Sequence, residues 1–107
     1  MMDIYFDDED LEKLFQGERL KGKPLYQDAV IQKFKKTVLK LDQFSRMEEL
    51  YQLKSLNFEA LSGNKKGLYS VKVDSKYRLE LTIERIEDNG LFIKDIIRIV
   101  RMSNHYS

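Results

Sequence analysis

The chain has 107 residues and a net charge of +1, with 42% hydrophobic and 35% charged residues. That is one domain, residues 1–107, with enough apolar sequence for a single core and too much for a disordered chain. With no cysteine, disulfides, thiolate-bound zinc and thiol catalysis are excluded; with one histidine, so is a multi-histidine metal site, and no cofactor or metal is expected.

No apolar run approaches the ~20 residues that cross a bilayer. The opening MMDIYFDDED is acidic and lacks the basic start of a signal peptide, so a cytoplasmic protein with no membrane partner is expected. Residues 1–53 carry 9 basic and 11 acidic side chains, and residues 54–107 carry 10 and 7. The second half is therefore mildly basic, which suits a polyanion partner without specifying one.

In chain order, residues 2–6 read as a short strand. Asp7 or Asp8 caps a helix from about 8 to 16, with Leu11, Leu14 and Phe15 as its apolar stripe and Gly17 at its end. The acids at 7–10 suit the positive end of that helix, and adjacent acids there diverge rather than converge on a metal. After a polar loop at 18–24, the three- and four-residue steps of Tyr26, Val30, Phe34, Val38, Leu41 and Phe44 predict a helix over about 26–44. Lys33, Lys36 and Lys40 share its other side, as a solvated face or a phosphate-contacting stripe. Ser45 to Glu48 has the spacing of a capping box for a short helix ending near Leu53.

After residue 55 the period changes from 3.6 to 2. Tyr69, Val71 and Val73 alternate with polar residues, as do Tyr77, Leu79, Leu81 and Ile83. These are half-buried antiparallel strands joined by a tight turn at Asp74 to Lys76. Asn89-Gly90 marks a second hairpin turn, and a third strand over about 91–102 reads as the most buried of the set. The predicted class is α+β: a strand, two or three helices, then a three-stranded antiparallel meander with the helices on one sheet face. The opposite, polar face is left for a ligand.

This order, with Leu61, Gly63, Lys65, Lys66, Gly67, Tyr69, Ser70, Val71, Tyr77 and Arg78 in the stretch 57–84, resembles the HigB-like toxins of the RelE/ParE superfamily. The opening DLEKLFQG looks like that family's first helix, and Asn104, His105 and Tyr106 stand where the family carries a polar C-terminal cluster. The resemblance implies the toxin of a type II toxin–antitoxin pair: a ribosome-dependent mRNA endoribonuclease. It implies a cognate antitoxin with a helix-turn-helix, operator DNA reached only through that antitoxin, and a toxin–antitoxin heterotetramer. The alternatives are a ParE-like gyrase inhibitor without catalysis and a degenerate antitoxin-binding domain.

Metal-free RNA cleavage needs a base for the 2′-hydroxyl, an acid for the leaving 5′-oxygen, and cations at the phosphate. Arg78 follows Tyr77, alternates onto the polar face and matches the family arginine; its guanidinium suits a phosphate, and its structural alternative is an ion pair with Glu80 or Glu84. Lys65 and Lys66, in the turn between Gly63 and Gly67, are candidates for gripping RNA backbone, as are Lys72 and Lys76. His105 titrates near neutrality and is the expected acid or base. Tyr106 would stack a base or donate its hydroxyl, and Asn104 would position a phosphate or 2′-hydroxyl.

Overall fold

The computed structural model describes residues 2–104. The chain starts with β1 (Asp3–Phe6), followed by α1 (Glu9–Phe15), α2 (Asp28–Asp42) and a one-turn α3 (Met47–Leu50). Then come β2 (Glu59–Ala60), β3 (Tyr69–Lys72), β4 (Tyr77–Asp88) and β5 (Leu91–Asn104), with 3₁₀ turns at Lys54–Leu56 and Gly63–Lys65. The α+β class and the element order are as expected. No helix among the described residues is long and apolar enough to cross a membrane.

The sheet is larger than a three-stranded meander. Its order is β1-β5-β4-β3-β2, and β1 pairs in parallel with β5. Sequence periodicity finds a strand but not its neighbour, so neither the return of β1 to the sheet nor the two-residue β2 was foreseeable. The buried run is on β4, at Arg78, Leu79, Glu80 and Leu81, rather than on β5, where burial alternates. The reason is position: β4 lies in mid-sheet, while β5 is covered by β1 only at Ile96–Ile99. At the other end of the hairpin Asn89 and Gly90 take φ of 52° and 77°, the left-handed pair that a two-residue turn requires.

The helices cover one face. Val30, Phe34, Val38 and Leu41 of α2 meet Leu11 and Leu14 of α1 and the inward side chains Val71, Leu79, Leu81, Ile97, Ile99 and Met102. Phe34 is fully buried between the rings of Phe6 and Phe15. Burying each such side chain stabilises the fold by about 1.5–3 kcal/mol. Asp8 caps α1 by accepting the Leu11 backbone N–H at 3.0 Å. At α3 the reaching carboxylate is Glu49 rather than Glu48: it accepts the backbone N–H groups of Ser45 and Arg46, and the helix ends at Leu50, short of Leu53. Lys33, Lys36 and Lys40 lie on the exposed side of α2.

A bulge decides the other face. Leu81 pairs with Ile99 but Glu80 pairs with Arg101, so Val100 is the extra residue. Simple alternation from Ile97 and Ile99 would turn residue 101 inward. The bulge instead turns Arg101 outward and Met102 into the core.

Candidate functional site: a charged floor on the open sheet face

Two cross-strand rungs form the open face. Glu59, Ser70, Glu80 and Arg101 are in register across β2, β3, β4 and β5. Lys72, Arg78 and Ser103 form the next rung across β3, β4 and β5. Directly opposed residues share a side, so these seven side chains meet on one surface.

Arg78 is in the floor of this surface, only 6% exposed. Its Nε donates to Ser70 Oγ at 2.9 Å, and its Nη2 donates to the Asn57 carbonyl at 2.6 Å. The same Nη2 lies 3.6 Å from Glu59 Oε1. Its carboxylate partner is therefore Glu59, not Glu80 or Glu84. Local geometry explains the arrangement. Asn57 closes a 3₁₀ turn in the left-handed region (φ 44°, ψ 53°), a conformation asparagine tolerates. Phe58 is buried, stacked on Tyr69 with ring centroids 5.3 Å apart, so the next residue, Glu59, faces out. The Glu59 side chain is half exposed.

Glu80 is only 3% exposed, an unusual position for a carboxylate on a sheet surface. Lys65 Nζ donates to its Oε2 at 2.6 Å, and Arg101 Nη1 donates to its Oε1. Burial alone would raise the pKa of this carboxyl. The hydrogen bonds from Lys65 and Arg101, with a smaller one from Ser103, outweigh burial and hold it below the ordinary glutamate value. Lys65 reaches Glu80 because the loop before β3 folds back, with the Leu61 N–H bonded to the Leu68 carbonyl.

Of the residues expected from the sequence, Arg78, Lys65 and Lys72 converge on this face. Lys66 is exposed at the end of the Gly63–Lys65 turn. Lys76 is elsewhere: it lines a cleft of about 680 Å³ between the start of α2 and the β3–β4 turn, with Tyr26, Lys33 and Tyr77. Asn104 pairs in register with Tyr77, one residue out of step with Arg78, so it belongs to the helix-facing side. A one-residue offset on a strand reverses the face, which separates Asn104 from the site. His105 and Tyr106 lie outside the described residues.

Sequence reasoning missed Glu59 and Arg101, and named Glu80 only as an ion-pair partner for Arg78. Two signals were present. The inward residues Ile97, Ile99 and Met102 step by two and then by three, which marks a bulge before Arg101. Phe58 before Glu59 marks an in–out pair in a stretch to which no strand was assigned.

No protein-family model and no curated protein matches the sequence. Solved structures do match. YafQ from E. coli strain BL21(DE3) is similar at a TM-score of 0.58 and 17% identity, over 98% of this chain and 94% of that one. A YoeB/ParE toxin from Agrobacterium tumefaciens is similar at a TM-score of 0.53 and 14% identity, over 98% and 100% of the two chains. The heterotetrameric YoeB–YefM toxin–antitoxin complex from Staphylococcus aureus contains a chain similar at a TM-score of 0.51 and 21% identity, over 99% of each. At these identities the likeness is one of architecture, and the chain has the fold of RelE/ParE-type toxins along nearly its whole length.

Proposed function

We infer that this chain is the toxin of a type II toxin–antitoxin pair, of the HigB-like kind, and that it cleaves mRNA on the ribosome by metal-free attack of the 2′-hydroxyl. The observation that carries this reading is the half-exposed Glu59 carboxylate 3.6 Å from the Arg78 guanidinium, on a sheet face where cations outnumber acids. Glu59 takes the proton of the 2′-hydroxyl. The 2′-oxygen then attacks phosphorus, and the bond from phosphorus to the 5′-oxygen breaks. The leaving oxygen takes its proton from His105, and the products are a 2′,3′-cyclic phosphate and a 5′-hydroxyl. Arg78 acts from the floor: it orients Glu59 and adds positive charge where the phosphate gains negative charge. Lys65, Lys66 and Lys72 supply the cationic surround for the RNA backbone, and Tyr106 a ring for a base. Lys76, in the cleft beside Tyr77, is left out of this set, as is Asn104. The partner is a small antitoxin with a helix-turn-helix, through which the pair reaches operator DNA. The assembly we infer is a heterotetramer in the cytoplasm, like the S. aureus complex.

One observation favours a second reading, an antitoxin-binding domain without activity. Arg78 spends its donors on Ser70 and Asn57 and exposes little surface. Induced expression in a bacterial host separates the two. The nuclease arrests growth and leaves discrete, codon-spaced primer-extension stops on translated messages. Arg78→Lys keeps the charge but loses the planar fork, and it should abolish both effects while the protein stays folded by circular dichroism. Normal growth under wild-type expression would discard the nuclease.

A further inference from the structure

Lys65 and Arg101 differ from Arg78 in what they leave unused. Glu80 has two carboxylate oxygens, and a different cation donates to each: Lys65 to Oε2, Arg101 to Oε1. One cation would neutralise Glu80, so the second leaves a surplus positive charge. A lysine ammonium has three N–H donors and a guanidinium five. One of each is committed to Glu80, and the two side chains are about half exposed, at 46% and 50%. Among the described residues Glu80 is the acid each of them meets, which leaves their remaining donors available to an anion on this face. The buried carboxylate lies behind them with both oxygens occupied, so it restrains two flexible side chains without standing between them and an incoming anion.

The spacing is specific. Glu80 is two residues along β4 from Arg78, and Arg101 is two residues along β5 from Ser103, the partner of Arg78 in register. A two-residue strand repeat is about 6.6–6.8 Å. That is close to the separation of neighbouring phosphates on one nucleic-acid strand.

We propose that Lys65 and Arg101, held on buried Glu80, form a second phosphate subsite, one nucleotide along the RNA from the phosphate at Arg78. The inference rests on the nuclease reading for the identity of the strand that crosses this face. Glu80 is a positioning residue within it: it touches no substrate and sets the direction of two cations that do. The ligand class is a backbone phosphodiester, recognised without regard to base.

The test uses the full chain and uncleavable 2′-O-methyl oligonucleotides, a dinucleotide with one phosphate and a trinucleotide with two. Affinity is measured by fluorescence anisotropy over a salt series. Each phosphate contact on a single strand contributes about 0.7 to the slope of log affinity against log salt. Wild type should therefore give a trinucleotide slope steeper than the dinucleotide slope by about 0.7. In Arg101→Gln, where Lys65 still neutralises Glu80, this difference should shrink. In the uncharged triple variant K65Q/E80Q/R101Q, which leaves no buried charge unpaired, it should vanish. A difference that persists in the triple variant overturns the subsite while leaving the nuclease reading intact. Failure of wild type to bind either oligonucleotide overturns the subsite, whereas the nuclease reading falls only if wild-type expression leaves growth and translated messages intact. Glu80→Gln separates positioning from charge counting. It adds one net positive charge, yet the difference should narrow; a wider difference would refute the positioning role.

Discussion

Glu80 and Asp95 are both carboxylates buried on the β4–β5 hairpin, on opposite faces of the sheet. Asp95 faces the helices. Arg85 binds it through two parallel hydrogen bonds of 2.8 Å, and the Met47 backbone N–H at the start of α3 donates to it at 2.7 Å. The same guanidinium grips Glu48 through two more, at 2.7 and 2.6 Å, and lies over the Phe92 ring beside Arg46. Asp95, Glu48, Arg85 and Arg46 sum to zero charge. On the open face, Glu59 and Glu80 stand among Arg78, Lys65, Arg101 and Lys72, a surplus of two positive charges. The two clusters use the same kinds of side chain to different ends. Where acids and bases match and consume each other's donors, the cluster is a latch. Where cations outnumber acids and keep donors available, it is a place for an anion.

The latch explains why a one-turn helix holds its place. A single turn has no independent stability in water, so α3 depends on its tie to the hairpin. Arg85→Ala strips the paired charge from buried Asp95, and such a loss costs about 3–5 kcal/mol. Urea unfolding should show a drop of that size. A drop under ~1 kcal/mol would show that Asp95 finds another partner and that the latch is not distinct from the site.

Acid sharpens the contrast next. The Arg85 hydrogen bonds chiefly hold the Glu48 carboxyl at about 2, against an ordinary 4.5. Burial pushes Asp95 up, but the hydrogen bonds from Arg85 and Met47 prevail and hold it low; Glu80 is also held low. A carboxyl with a lowered folded-state pKa binds its proton more readily when the chain is unfolded. The stability it contributes is complete above its unfolded value and is lost as pH falls through the folded one. The melting temperature should therefore be level above about pH 5 and fall steeply between about 4.5 and 2. Glu48→Gln should flatten that fall, and an unchanged acid slope would remove Glu48 from the latch.

The smallest structural effect should accompany a large functional one. Glu59 is half exposed at the edge strand and lies 3.6 Å from Arg78, beyond hydrogen-bond distance, so Glu59→Gln should cost less stability than Arg85→Ala. Cleavage of translated mRNA should nonetheless fall by about 10²–10⁴-fold, the usual contribution of a general base. Full cleavage by this variant would transfer the base to another group.

Local pattern carried much of this structure. The α2 stripe from Val30 to Leu41, the cap at Asp8, the Asn89-Gly90 turn and the alternation along β3 and β4 were legible because each depends on residues a few positions apart. For the same reason Arg78 and Lys72 were legible as polar strand positions, whereas Lys65 was expected only in the turn before them and is brought onto their face by its bond to Glu80. The remaining site residues depend on distant chain. Arg101 reaches the open face only through the Val100 bulge. Glu59 meets Arg78 only because the left-handed turn at Asn57 brings β2 alongside β3.

The sequence by itself determined the helices, the hairpin, the polar face of the sheet and the identity of most cations on it, since periods of 3.6 and 2 are written in neighbouring residues. Only the tertiary structure decided which acid each cation meets: Glu59 for Arg78, Glu80 for Lys65 and Arg101, Asp95 and Glu48 for Arg85. Those pairings join residues 10 to 37 positions apart. Register, a bulge and chain reversal set them, and none of these leaves a period in the sequence.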